Sequence, residues 1–240
     1  MRFAIFGDIH ANLEAFEAVL ADAKEHGCSS YVCLGDVVGY NASPNECLDI
    51  VQSLACPVVK GNHDEYASTS SPVDNFNPLA EAAILWTREK LNPKEKEWLS
   101  ELPLITTVGD FTIVHATLDD PAGWSYVLNQ LDAAASFSRQ ETQICFFGHT
   151  HAPRLYVRDN SVIGLPLTTI RCESQKKYFV NVGGVGQPRD GDWRAAYAVF
   201  DSEAREITLR RLPYDIVQTQ RKILEAGLPF KLAERLQFGR

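Results

Sequence analysis

A chain of 240 residues, 45% apolar and 22% charged, has the composition of an ordinary globular protein with room for one large domain, which excludes disordered and fibrous classes. A formal charge of −8 opposes binding to long nucleic acids, because such binding needs Lys and Arg to neutralise many phosphates. A small phosphorylated partner stays allowed, since a pocket whose largest charges are bound cations need not share the sign of the whole surface.

Residues 2–6 form a short apolar run ended by Gly7-Asp8, after which Leu13, Phe16, Val19 and Leu20 recur at helical spacing, with Asn12 placed as cap and Gly27 as stop. Asp8 and His10 interrupt this run before it reaches signal-peptide length, and no stretch of about 18 apolar residues follows anywhere, so no membrane partner is expected. The strand-loop-helix phrase repeats: residues 31–34 lead into Gly35-Asp36, and Ser43-Pro44 opens a second helix through Val51. A third strand is predicted at 57–59, ending in Gly61-Asn62-His63-Asp64. Such alternation predicts parallel βαβ units, where ligands bind beyond the carboxyl ends of the strands. The stretch 68–78, rich in Ser, Asn, Asp and Pro, reads as a loop over that edge. Helices follow at 79–91 and from the cap Asn92 and Pro93 to about Leu102, packed down by Trp86 and Trp98.

The second half is mostly sheet. Residues 104–108 and 111–115 pattern as a hairpin around Gly109-Asp110, with His115 at its exit. After a helical segment near 128–138, residues 144–147 make another apolar strand, ending in Gly148-His149-Thr150-His151. Further strands are predicted at 154–157, 161–164, 177–181, 195–200 and 207–212. Asp215 caps a helix through Leu224, and Pro229 begins a last one containing Leu232, Ala233 and Leu236. The chain reads as a single domain, 1–240, whose helices from about residue 215 are a packing extension. The six cysteines show no Cys-x-x-Cys spacing, so reduced thiols in a cytoplasmic protein are expected.

Five of the six histidines fall in polar loops directly after predicted strands; the sixth, His26, suits a helix C-terminus, where a cation is mildly favoured. Divalent cations take carboxylate, amide and imidazole donors, and Asp-x-His or His-x-His brings two such groups to one point. Glycine before a ligand relieves crowding of the backbone. Two cations about 3.5–4 Å apart need a shared anion to offset their repulsion, a duty that Asp36 in the central loop fits.

The ordered blocks Asp8-Ile9-His10, Gly35-Asp36, Gly61-Asn62-His63-Asp64, a lone His115 and Gly148-His149-Thr150-His151 resemble the signature of the calcineurin-like metallophosphoesterase superfamily, over Asp8 to His151. The segment 181–189 resembles a glycine-rich loop of its small bacterial and archaeal members. The resemblance implies Asp8, His10 and His151 as ligands of one divalent metal and Asn62, His115 and His149 as ligands of a second, with Asp36 bridging. It implies that His63 faces the scissile phosphate, steadies its charge and protonates the leaving oxygen. The fold it implies is α/β, a four-layer αββα sandwich of two facing mixed sheets with helices outside. Protein Ser/Thr phosphatases of this superfamily carry Gly-Asp-x-x-Asp-Arg-Gly in the second block, whereas 35–41 here lacks the partner Asp and the Arg. The small phosphodiesterase-type members are therefore the closer likeness.

The expected activity is that of a phosphodiesterase or phosphatase acting on a small phosphorylated molecule through a metal-activated hydroxide. A dinucleoside polyphosphate hydrolase is the alternative within catalysis, and a non-catalytic metal-binding scaffold the alternative outside it; the intact His63 and ligand set argue against the scaffold. Manganese is the expected metal, although the same donors accept Fe, Ni, Co or Zn. Arg189 and Tyr40 are candidate substrate contacts, with Asn41 beside them. Asn12 is read as a helix cap, Asp64 and Glu65 as the acidic start of a helix, and Trp124 and Trp193 as packing residues.

Overall fold

The computed structural model describes residues 1–74 and 76–240. From β1 (Arg2–Phe6) the chain turns into α1 (Leu13–Glu25), where the Asn12 side chain accepts from the Ala15 N–H as a cap. From β2 (Ser30–Cys33) it turns into α2 (Pro44–Ser53), then α3 (Asn62–Ser68), α4 (Pro78–Lys90) and α5 (Pro93–Glu101). Asn77 and Asn92 each cap the helix that follows by accepting two N–H groups, with Pro in the first turn. Next come β3 (Ile105–Val108), β4 (Phe111–Val114), α6 (Gln130–Arg139), β5 (Ile144–Phe147), β6 (Arg154–Arg158), β7 (Val162–Pro166), β8 (Thr169–Arg171) and β9 (Lys177–Asn181). The chain closes with β10 (Ala195–Asp201), β11 (Glu206–Leu212), α7 (Ile216–Glu225), α8 (Phe230–Glu234) and a 3-10 turn over Arg235–Phe238.

Two mixed sheets result, ordered β2-β1-β10-β11-β8 and β3-β4-β5-β9-β6-β7. The parallel pairs are β1 with β2, and β5 with both β4 and β9. Alternation along the strands gives each sheet two apolar faces. Ile5, Val32, Phe111, Phe146, Val180 and Phe200 meet between the sheets, with the Phe111 ring 5.4 Å from Phe146 and 5.5 Å from Phe200, both edge to face. On the outer face of the first sheet, Phe6 packs with Phe16, Val19, Leu48 and Val51 of α1 and α2. On the outer face of the second, Phe147 and Phe179 pack with Ala133 and Phe137 of α6. This is the four-layer α/β sandwich that the resemblance implied.

Several local expectations are corrected. The third predicted strand is reduced to one parallel bridge, Cys33 to Val58, because the chain leaves the sheet at Lys60, whose N–H turns to the Pro103 carbonyl. Asn62 and His63 stand in the first turn of α3 and not in a loop before it. β8 was not foreseen; it is a three-residue edge strand too short to show a period. The predicted loop 68–78 is tied down at its start by Arg88, which donates to the Tyr66 and Ser71 carbonyls; its residue 75 lies outside the described residues. Trp86 and Trp98 are half-buried, Trp86 donating to the Ala226 carbonyl. Among the described residues no helix is long and apolar enough to cross a membrane, and all six cysteines are unpaired.

Candidate metal centre

The loops after β1, β2 and β5 leave their strands through a backbone conformation that side chains rarely adopt. Asp8, His10, Asp36, His149 and His151 have φ between 48° and 62°, a left-handed conformation costing an L-residue roughly 1–2 kcal/mol. Such strain persists where the surroundings over-determine it, and it gathers at functional sites. Here the loops hold one another. The N–H groups of Asp8 and His10 donate to the Gly35 and Asp36 carbonyls, both at 2.9 Å, and the His149 N–H donates to the Asp8 carboxylate at 3.0 Å. The Asp64 carboxylate accepts from the N–H groups of Asp36, Val37, Val38 and Gly61 at 2.7, 2.9, 3.3 and 3.0 Å. A residue read as a helix start thus also shapes the loop that carries Asp36. Gly61 has no room for a side chain, since a Cβ there would lie 2.1 Å from Asp36 Oδ1.

Two groups of ligating atoms meet at this edge, Asp8 with His10, Asp36 and His151, and Asp36 with His115 and His149; within each, the atoms lie within 4.8 Å of one another. All of these residues are buried, and Asp36 belongs to both groups. His10 Nε2 and His115 Nε2 lie 3.5 and 3.4 Å from Asp36 Oδ2, and His151 Nε2 lies 3.3 Å from Asp8 Oδ1. Asn62, on the adjoining first turn of α3, has a buried side-chain oxygen with no partner.

The rings are aimed by backbone carbonyls. Nδ1 of His10, His115 and His151 meets the Val38, Leu34 and Gln187 oxygens at 3.1, 2.7 and 2.6 Å, and Nε2 of His149 meets the Trp124 oxygen at 2.8 Å. A carbonyl only accepts, so each of these nitrogens carries a proton, and in the neutral ring the other nitrogen is a bare lone pair. The other nitrogens face each other in pairs, His10 Nε2 to His151 Nε2 at 3.1 Å and His115 Nε2 to His149 Nδ1 at 3.2 Å. Lone pairs so close repel unless a proton or a cation lies between them. A carbonyl-anchored ring with its free nitrogen turned to a shared point is the arrangement of metal-ligating histidines. With the unpartnered Asn62 oxygen and the shared carboxylate, this nitrogen and oxygen set suits two divalent cations.

The electrostatics agree. Burial holds His10 and His151 well below the ordinary imidazole range and takes His149 down to about 3. Burial opposes a charge on His115 too, but the Asp36 and Asp8 carboxylates outweigh it and push this ring up to about 9. Burial would raise Asp36, yet the surrounding histidines, His115 foremost, keep it well below its usual value; Asp8, raised by burial and by the Asp36 charge, rises to about 7. His115 must lose its proton to ligate a metal, so metal affinity rises with pH up to about 9. Loading with Mn²⁺ at pH 7.5 is expected to release roughly one proton per chain, measured by calorimetry in two buffers of different ionisation enthalpy; zero release would mean that His115 is not a ligand.

His63 is buried beside the clusters without joining them. Its ring centre is 4.7 Å from His10 and 4.4 Å from Tyr40, and its Nδ1 has no partner. Burial brings this ring down to about 4. Tyr40 and Arg189 line the same cleft, with Phe76, Asn77 and Tyr126 at its walls. Asn41 lies beneath, donating to the His10 carbonyl at 2.8 Å.

The backbone of the glycine-rich segment is engaged within the protein. The N–H groups of Gly183, Val185, Gly186 and Arg189 all donate to protein acceptors, so the segment offers an anion its Arg189 side chain and not a backbone cradle at those positions. Trp124, read as packing, has φ +52° and anchors His149 through its carbonyl. Tyr126 stacks on the His149 ring at 4.3 Å; as a tyrosine in a connecting segment it carried no sequence signal. His26 stays with the end of α1, its Nδ1 at 2.8 Å from the Asp22 carbonyl, and Trp193 packs near Tyr214.

The sequence model of the calcineurin-like phosphoesterase superfamily domain matches residues 1–205. An uncharacterized protein of Methanocaldococcus jannaschii is 38% identical over 242 residues, covering 99% of this chain and 98% of the relative. The crystal structure of a metallophosphoesterase from Sphaerobacter thermophilus is similar at a TM-score of 0.89 and 40% identity, covering 100% of this chain and 99% of that one. A hypothetical protein of Pyrococcus horikoshii shares the fold at a TM-score of 0.82 and 20% identity, covering 100% and 98% of the two chains.

Proposed function

Since the chain belongs to the calcineurin-like phosphoesterase superfamily, we propose that it hydrolyses a phosphoester, a diester in preference to a monoester, in a small phosphorylated molecule. The observation that carries this reading is the pair of buried donor clusters sharing Asp36, with ring nitrogens of paired histidines turned toward each other. Asp8, His10, Asp36 and His151 would hold one divalent cation and Asp36, Asn62, His115 and His149 a second, manganese first among the metals these donors accept. Bound there, the cations supply Lewis acidity to the phosphate oxygens and lower the pKa of solvent water.

The chain's own residues do the rest. The Val38, Leu34, Gln187 and Trp124 carbonyls keep the four rings in their ligating tautomers. His63 presents a ring nitrogen to the cleft, where it donates to a phosphate oxygen and follows the leaving oxygen as its charge grows. Arg189, stacked over Tyr40 in the same cleft, offers its guanidinium to the remainder of the substrate. The cleft beside the clusters is small, walled by Tyr40, His63, Phe76, Asn77, Tyr126 and Arg189, and the net charge of −8 fits a small substrate better than a long nucleic acid. The unpaired cysteines, all but Cys56 buried, suit a reducing compartment such as the cytoplasm.

The test is metal analysis of the purified protein together with turnover of a monoester, a diester and a dinucleoside tetraphosphate under Mn²⁺. Close to two metals per chain are expected, with the diester hydrolysed fastest. Full metal occupancy with no turnover of any of the three would favour a scaffold instead.

A further inference from the structure

The hydrolase reading leaves one cation unused. Arg235, in the closing 3-10 turn, lies against the same aromatic ring as Arg189: the guanidinium carbons stand 6.0 and 5.5 Å from the centre of Tyr40. That ring is 4.4 Å from His63 and 4.7 Å from His10, so both arginines are one side chain from the candidate metal centre. The C-terminal helices bring this about by packing Ile223, Leu232, Ala233 and Leu236 into one cluster with Tyr40 and with Ala80 and Ala83 of α4.

Among the described residues neither guanidinium has an Asp or Glu carboxylate within ion-pair distance. Arg189 donates to the Gln187 side-chain oxygen at 3.1 Å, and Arg235 to the main-chain oxygen of Arg240. Two donors nearby are buried with no acceptor, Nε of Arg189 and Nε2 of Gln187, a residue only 1% exposed. Burial, and after it the charge of Arg189, lowers the pKa of Arg235. Like charges gathered with open donors, in a protein of net charge −8, suit an anion.

We propose that Arg189 and Arg235 form a second anion subsite beside the metal centre, and that the substrate carries a further phosphoryl group besides the one attacked. The inference rests on the hydrolase reading for the scissile group. A phosphoryl group matches two guanidiniums in charge and in its number of acceptors, whereas a carboxylate fills a single fork.

The experiment is calorimetric and needs no turnover. Propane-1,3-diyl bisphosphonate, 3-phosphonopropionate and propylphosphonate are each titrated into the Mn²⁺-loaded protein. The bisphosphonate is expected to bind at least about tenfold more tightly than propylphosphonate, with the carboxylate compound between them, since each charged fork adds about that factor. Arg235→Gln and Arg189→Gln, checked for metal content and melting temperature, should each narrow the tenfold gap to under about threefold. Arg221→Gln, an equal charge change on exposed α7, should leave the gap intact. Equal binding of the three compounds, preference for the carboxylate, or an equal narrowing by Arg221→Gln would overturn the subsite. Failure of the hydrolase reading would appear separately, as absent turnover in a protein that still discriminates the phosphonates.

Discussion

Asp36→Asn is expected to release both cations together and to lower turnover by about a thousandfold or more. Asp36 is the one residue common to the two donor clusters, and in the proposed two-cation centre its carboxylate would be the anion that offsets the repulsion of neighbouring cations. Losing roughly 4 kcal/mol of that compensation corresponds to three powers of ten in rate. The substitution changes charge with little change in shape. The His63 N–H, which donates to Asp36 Oδ1 at 2.8 Å, still finds an oxygen in Asn, so the loop keeps its path. The effect is therefore separable from misfolding. Metal at a hundred times its dissociation constant stabilises a protein by about 2.7 kcal/mol, which raises the melting temperature of a chain this size by roughly 5–10 °C. Wild-type protein should show that rise with Mn²⁺, and Asp36→Asn should show almost none. A variant that retained one tightly held metal per chain would rule out the shared position.

His63→Ala should lose about 10²- to 10⁴-fold in kcat, the range of a positioned proton-transfer group, while metal content stays near that of the wild type. The ring lies in neither donor cluster, yet it packs against His10 and carries a buried nitrogen with no hydrogen-bond partner. Its placement is demanding. Gly39 has φ +96°, and a Cβ there would come 2.4 Å from His63 Nδ1, so the loop after Asp36 is cut to the shape of the ring. Burial brings the imidazole down to about 4, so the free ring is neutral; the negative charge of a bound phosphoryl group favours the imidazolium, which is the form that can pass a proton to the leaving oxygen. His63→Gln, which keeps an N–H, should retain more of the rate than His63→Ala. Loss of the metals in His63→Ala with an unchanged rate per bound metal would assign the ring a ligand's role instead.

How much of the site was legible varies with how local the signal was. Asp8, His10, Asp36, Asn62, His115, His149 and His151 stand beside glycines or at the ends of apolar runs, a pattern readable over a few residues, and the structure brings all of them to one edge. Asp64 was half legible: its place as the third residue of α3 follows from the sequence, but its grip on the Asp36 to Val38 backbone joins segments that only folding brings together. Trp124 and Tyr126 gave no usable signal, because an aromatic residue in a connecting segment reads as packing whether it faces a core or a cleft. The predicted strand at 57–59 failed for a related reason. Val58 and Val59 are buried, but apolar side chains say nothing of whether the backbone finds a neighbour to pair with over more than one bridge.

By itself the sequence determined the alternation of elements, the caps, the apolar faces and the residue types that end the strands, since all of these follow from periodicity and side-chain chemistry within a few positions. Which nitrogen of each histidine is bare, which carboxylate is shared, and that Arg235 returns from the end of the chain to stand with Arg189 over Tyr40 were decided by tertiary structure alone. Those properties depend on distances between groups far apart along the chain, and the packing of two sheets and their covering helices sets those distances.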